Sequence, residues 1–248
     1  MQTHYFSRLG SLALLATLLS ACATTSTPNE KPQTDTALKA AYTKAVQEAA
    51  LSNPTRISTH LIAITPYNTT LSWKKAAKTP DKVLMVTWTN YDGYDKEVGK
   101  TIPVTREIWA TAAPEVKDFC RGIANVDLRL KQALGLPPDA NKTKFVELWV
   151  NPVDMFRPTP DPEVTDTVAE LEFRAPNRNY TLSPAYIKWF NSLKESSYGE
   201  KGYPWTRLGY TYDWGKPDNP IGFSEFVITK GAKIEVKAVT STNDYCKR

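Results

Sequence analysis

Apolar residues along this chain recur with two different periods. Leu38, Tyr42, Ala45, Val46 and Ala49 fall on one stripe of a helical wheel, which predicts a first helix over Ala37–Leu51. Pro114 opens a second, with Val116, Phe119, Cys120 and Ile123 at the i, i+3, i+4, i+7 spacing of a buried face. A further turn or two is expected through "DLRLKQALG", with Asp127 as its cap and Gly135 as its terminator ahead of Pro137-Pro138. Ser183-Pro184 begins another, whose Tyr186, Trp189, Phe190 and Leu193 form an apolar stripe read as packed core.

Between these segments the period shortens to two. Strands are predicted at "ISTHLIAI" from Ile57, "VLMVTWT" from Val83, "TREIWAT" from Thr105, "FVELWV" from Phe145 and "VAELEF" from Val168. Others are predicted from about Arg207 to Trp214, at "FSEFVI" from Phe223 and at "KIEVKAV" from Lys233. "VLMVTWT" is apolar on both faces and is expected at the centre of a sheet. Ile234, Val236 and Ala238 alternate with Glu235 and Lys237, as in a half-exposed antiparallel strand, and Lys230-Gly231 suggests a hairpin joining the last two strands. The pattern defines a single α+β domain over 36–248, mainly antiparallel sheet with several helices packed on it.

The amino terminus has another pattern. Arg8 precedes an apolar run from Leu9 to Leu19, too short for a spanning helix, and small residues follow. Leu19-Ser20-Ala21-Cys22 resembles the lipobox of bacterial lipoproteins, a likeness confined to the leader. It implies a signal peptide over 1–21 and a mature chain starting at a diacylated Cys22, held on the membrane by two or three acyl chains such as palmitate at about 0.8 kcal/mol per buried methylene. Ala23 stands where the sorting rule of that family places Asp for inner-membrane retention, so the expected address is the bacterial cell envelope, lipid-anchored at the cell outer membrane with the domain in the periplasm or at the surface. "ATTSTPNEKPQTD" completes a flexible tether over 22–35, with a reach of about 20 Å.

Loss of the leader removes Arg8 and no acid, leaving 30 basic against 26 acidic side chains, a formal charge of +4. This surplus is mild and scattered, so no nucleic-acid partner is expected. Lipidation of Cys22 leaves Cys120 and Cys246 as an even pair in a compartment where disulfides persist, and they are expected to be joined.

His60 is the only histidine of the mature chain, which restricts Ser-His and Cys-His chemistry. No zinc-binding spacing exists, and no metal or cofactor is expected. Two stretches carry candidate chemistry. The proline-rich "NPVDMFRPTPDPEVTD" holds Arg157, Asp161, Glu163 and Asp166, candidate catalytic residues for a carboxylate hydrolase. "GYPWTRLGYTYDWGKPDNP" supplies candidate binding residues Trp205, Arg207, Tyr210, Asp213 and Trp214. Tyr210 and Trp214 are expected at least partly buried, since a domain with seven tryptophans must bury most of them, with Trp205, Arg207 and Asp213 nearer a rim. The leading expectation is a non-enzymatic envelope lipoprotein that binds a glycan, a peptidoglycan fragment or a protein; the alternative is a periplasmic hydrolase.

Overall fold

The computed structural model describes residues 34–51, 53–77, 80–178 and 180–247. The leader, the lipobox and nearly all of the tether lie outside the described residues. Residues 34–248 form one compact unit.

In chain order the elements are α1 (Asp35–Ala50), β1 (Trp73–Lys74), β2 (Lys82–Thr89), β3 (Thr101–Pro103), β4 (Ile108–Ala112), α2 (Ala113–Cys120) and α3 (Val126–Ala133). There follow β5 (Lys144–Val150), β6 (Met155–Phe156), α4 (Pro184–Ser197), β7 (Tyr210–Tyr212), β8 (Ile221–Ser224), β9 (Phe226–Ile228), β10 (Lys233–Ser241) and α5 (Thr242–Tyr245). Every strand pair is antiparallel. The main sheet runs β3-β10-β5-β2-β4-β9-β6, with β1 also on β2, while β7 and β8 form a separate ribbon. The chain is therefore an α+β fold built on a mainly antiparallel sheet, and β2 sits inside it as its two apolar faces require.

One face of the sheet buries Val83, Met85, Val146, Leu148, Phe226, Ile228, Ile234 and Val236 beneath Ile64, Leu71, Met155 and Val164. The other buries Leu84, Val86, Trp88 and Phe145 beneath α2, α3 and α5. α1 packs on Tyr212 and Trp214 of the separate ribbon and its following loop. Cys120 and Cys246 are joined, with a Cα–Cα distance of 5.2 Å, so α2 is tied to the chain end after α5. Closing a loop of 126 residues limits the unfolded chain by about 5 kcal/mol in the chain-entropy account.

The helices begin and end for local reasons. Thr34 caps α1 by accepting the Ala37 N–H, two residues earlier than expected, and Ser183 caps α4 by accepting the Tyr186 N–H. The cap of α3 is Asn125 rather than Asp127, because Asn125 Oδ1 accepts the Leu128 N–H. At its far end Gly135 takes φ 65°, and the Leu136 N–H closes back on the Lys131 carbonyl at 2.8 Å.

Two expected strands are absent. "ISTHLIAI" and "VAELEF" run beside each other through Leu61 N–H to Thr167 O and Ile64 N–H to Val164 O, without a continuous ladder. Ser58, Leu61 and Ile64 are buried, Leu61 with Ala169 and Ile64 with Val164, so this irregular cover buries every third residue rather than every second. The expected hairpin between the last two strands does not form either. Gly231, at φ 93°, bonds Val104 O, and β10 goes to β3 and β5 while β9 pairs with β4 and β6. A bulge at Lys237 then shifts the alternation of β10 from Val236 to Val239.

Candidate functional site

β2 and β5 are zipped along seven residue pairs, whereas β2 and β4 meet at only two, Met85 with Ala112 and Val86 with Thr111. Beyond that point β4 pairs with β9, and β2 and β4 diverge. The wedge between Thr87–Thr89 and Ile108–Ala110 opens into a cavity of about 590 Å³. Its remaining walls come from the end of α4, the loop after α3, the 203–205 segment and β7. Val86, Val116 and Tyr210 form buried floor, and the exposed Arg106, Glu107 and Tyr203 mark the opening.

Trp205 is fixed in the wall from both sides. Its ring lies 5.0 Å from Phe190 and meets Trp109 edge-on at 6.5 Å, and its carbonyl accepts the Tyr198 hydroxyl at 2.7 Å. Its indole Nε1 is buried and finds no acceptor among the described residues. Glu225 sits between β8 and β9, its N–H bonded to Gly209 O at 2.9 Å, with its side chain on the cavity. Burial pushes that carboxyl up to about 8, and nothing among the described residues hydrogen-bonds or neutralises it. Burial thus favours its neutral form.

The cations at the opening are also unneutralised. Arg106 lies over the Tyr91 ring at 5.3 Å, and neither it nor Lys142 has an acidic partner among the described residues. Burial lowers the Lys142 ammonium, and the Arg106 charge lowers it further, so the two are near neighbours on one wall. Glu107 is occupied, accepting the Trp189 Nε1–H at 2.9 Å.

Only part of the expected binding set reaches this cavity. Trp205 and Tyr210 line it. Arg207 faces inward, at φ 59°, and its Nη2 caps α1 by donating to Ala50 O at 2.8 Å and Ala49 O at 3.4 Å. Asp213 is buried and holds Arg129 of α3 in a two-pronged pair. Trp214 is core, its Nε1 donating to Leu136 O at 2.9 Å and its ring edge-on to Tyr42 at 6.0 Å. Arg207 and Asp213 thus fasten helices rather than rim a site.

The expected acidic set is likewise divided, and none of it lines the cavity. Arg157 is fully buried, spending Nε on Glu163 O and Nη2 on Asp166 O and Ile62 O, so it pins the proline-rich loop from beneath. Asp166 stands 3.8 Å from it. Glu163 is exposed, its Oε1 accepting the Thr165 hydroxyl. Asp161 is buried, and burial first and the neighbouring Glu170 second push its carboxyl up to about 7, while Glu170 is lowered. Arg174 Nη2 lies 3.6 Å from both. His60 is exposed and outside the cavity.

Glu225, Arg106, Lys142 and Trp109 were not singled out from the sequence. One signal was present: in "FSEFVI" an acid stands on the inward face of a strand that is otherwise apolar there. Among the described residues no cluster of three or more His, Cys, Asp or Glu is arranged to hold a metal, and no helix is long and apolar enough to cross a membrane. No family model, curated protein or solved structure matches the chain.

Proposed function

We propose that this protein is a lipid-anchored component of a bacterial envelope, held at Cys22, which binds a small ligand in the β2–β4 cavity without transforming it. The observation that carries the binding role is the cavity's own chemistry: about 590 Å³ of aromatic wall holding a buried indole N–H without an acceptor and a half-buried carboxyl. That volume suits a small molecule or a short fragment of glycan or peptidoglycan. Unpartnered buried polar groups are costly, and a ligand that bonds them recovers the cost. The anchor rests on the lipobox resemblance of Leu19-Ser20-Ala21-Cys22. A thermal-shift screen of the purified protein against muropeptides, simple glycosides and aromatic acids tests the reading. Some member is expected to raise the melting temperature and be recovered unchanged by mass spectrometry; a screen in which none does so overturns it.

A second reading has one observation in its favour: Asp161 and Glu170 converge on Arg174 Nη2, each at 3.6 Å, with Asp161 raised by burial and Glu170 lowered. Such a pair supplies an acid and a base within one site, the requirement of a carboxylate hydrolase. Under this reading the protein hydrolyses a glycoside or phosphoester and Asp161→Asn abolishes turnover with little loss of fold. Equal turnover by that variant counts against it.

A further inference from the structure

The polar groups of the β2–β4 cavity are unequal in kind. Three offer hydrogens: the Arg106 guanidinium, the Lys142 ammonium and the Trp205 Nε1–H. The two cations have no acid to neutralise them among the described residues, and the one acid beside them at the opening, Glu107, is bonded to Trp189. Within the cavity the remaining carboxyl, Glu225, is pushed up to about 8 by burial, which favours its neutral form over an opposing charge. The wall thus sets two cations against the single carboxylate of Glu107, a net positive charge beside a half-buried lysine that an anion stabilises. The edge-on pair of Trp109 and Trp205 meanwhile offers flat apolar surface.

We infer that the cavity takes a small organic monoanion with a flat apolar body, its carboxylate or comparable anionic head held by Arg106 and Lys142 and its body against Trp109 and Trp205. This assignment rests on the binding role proposed above and narrows it to a ligand class. Arg106, its guanidinium 5.3 Å from the Tyr91 ring, can offer a planar two-pronged contact, whereas Lys142 contributes a point charge. The pair thus selects for charge first and for head geometry second. A neutral ring of equal size loses the head contact, and an ammonium head meets two like charges.

Calorimetric titration of the protein at neutral pH with 2-naphthoate, 2-naphthol and 2-naphthylmethylammonium separates these cases on one ring system. Naphthoate is expected to bind at least about tenfold more tightly than naphthol, and the ammonium most weakly, because only the carboxylate makes charge-assisted contacts with the two cations. The double variant Arg106→Gln, Lys142→Gln is expected to bring naphthoate down to the affinity of naphthol while leaving naphthol unchanged; Arg106→Lys keeps most of the preference. Should the double variant not fold, raised salt on the unmodified protein gives the same reading, weakening naphthoate and sparing naphthol. Equal affinities for all three probes, or a preference for the ammonium, overturn the anion assignment and leave the binding role standing. Silence from all three also overturns the assignment, and the wider ligand screen then judges the binding role alone.

Discussion

Trp214 shows what a single aromatic side chain contributes here. It is 5% exposed, packed edge-on against Tyr42 and bonded through Nε1 to Leu136 O, so it links α1, the loop after α3 and the end of the β7 segment. Trp214→Ala is expected to cost about 3–5 kcal/mol, read by denaturant unfolding, because the cavity left behind cannot collapse between three elements. An unchanged midpoint would contradict that packing. Two buried acids lead to a prediction of opposite sense to ordinary acid unfolding. Burial raises Glu115 of α2 and Glu225 from 4.5 to about 8, so between those values the folded protein holds protons that the unfolded chain has released. Stability therefore falls as pH rises from about 4.5 to about 8, the sign set by the greater proton uptake of the folded state. Each pKa unit is worth about 1.4 kcal/mol, against about 0.2–1 kcal/mol for an exposed ion pair, so these two groups dominate that window together with Asp161, raised to about 7 with the same sign. Glu48 and Glu170 are lowered and act below it. Urea midpoints at pH 5 are expected to exceed those at pH 8.5, with the difference reduced in Glu225→Gln; a midpoint that climbs with pH would refute this.

Among the elements, the approach to β7 is the most tightly constrained. Gly209 lies at φ 77°, and a Cβ there would stand 2.6 Å from the buried Arg157 Cδ and 3.0 Å from Leu61 Cδ1. Gly209→Ala thus combines backbone strain with overpacking and is expected to cost about 1–3 kcal/mol or more, measured as a lower unfolding midpoint. A neutral result would mean that Arg157 yields readily. Four helices are legible in the sequence, Ser183 and Gly135 acting through local bonds and Pro114 through its fixed φ, whereas the Thr34 and Asn125 caps and the short α5 are not. β2, β5 and β10 are legible too, because a long period-two run has few other uses. Ile57–Ile64 carries the same period but lacks a ladder, and only long-range bonds such as Ile62 N–H to Ser224 Oγ at 2.8 Å decide that. The candidate site was hidden for the same reason. Its walls come from positions as distant as Thr87, Arg106, Trp205 and Glu225, joined by a divergence of strands that no local pattern records. The aromatic stretch around Trp205 was visible as a concentration of rings, but whether Arg207 turned outward depended on the open carbonyls of α1.

For the molecule as a whole, the proposed address depends on one atom, Cys22 Sγ. Cys22→Ser is expected to leave an unprocessed or soluble precursor that takes up no fatty-acid label, whereas normal fractionation and labelling would remove the lipoprotein assignment. The folded unit has its own dividing line. β3-β10-β5-β2 forms one block and β4-β9-β6 another, and two residue pairs join them. α2 continues directly from β4, and Cys246 follows β10 through α5, so the Cys120–Cys246 bond staples one block to the other. Backbone amides along that line are expected to exchange with deuterium faster after reduction, while those between β5 and β10 stay protected, since sub-global opening follows the weakest junction. Uniform acceleration would mean that the sheet opens as one piece. An oxidising compartment then does more than harden this fold: it sets how widely the sheet breathes at the place where a guest would enter.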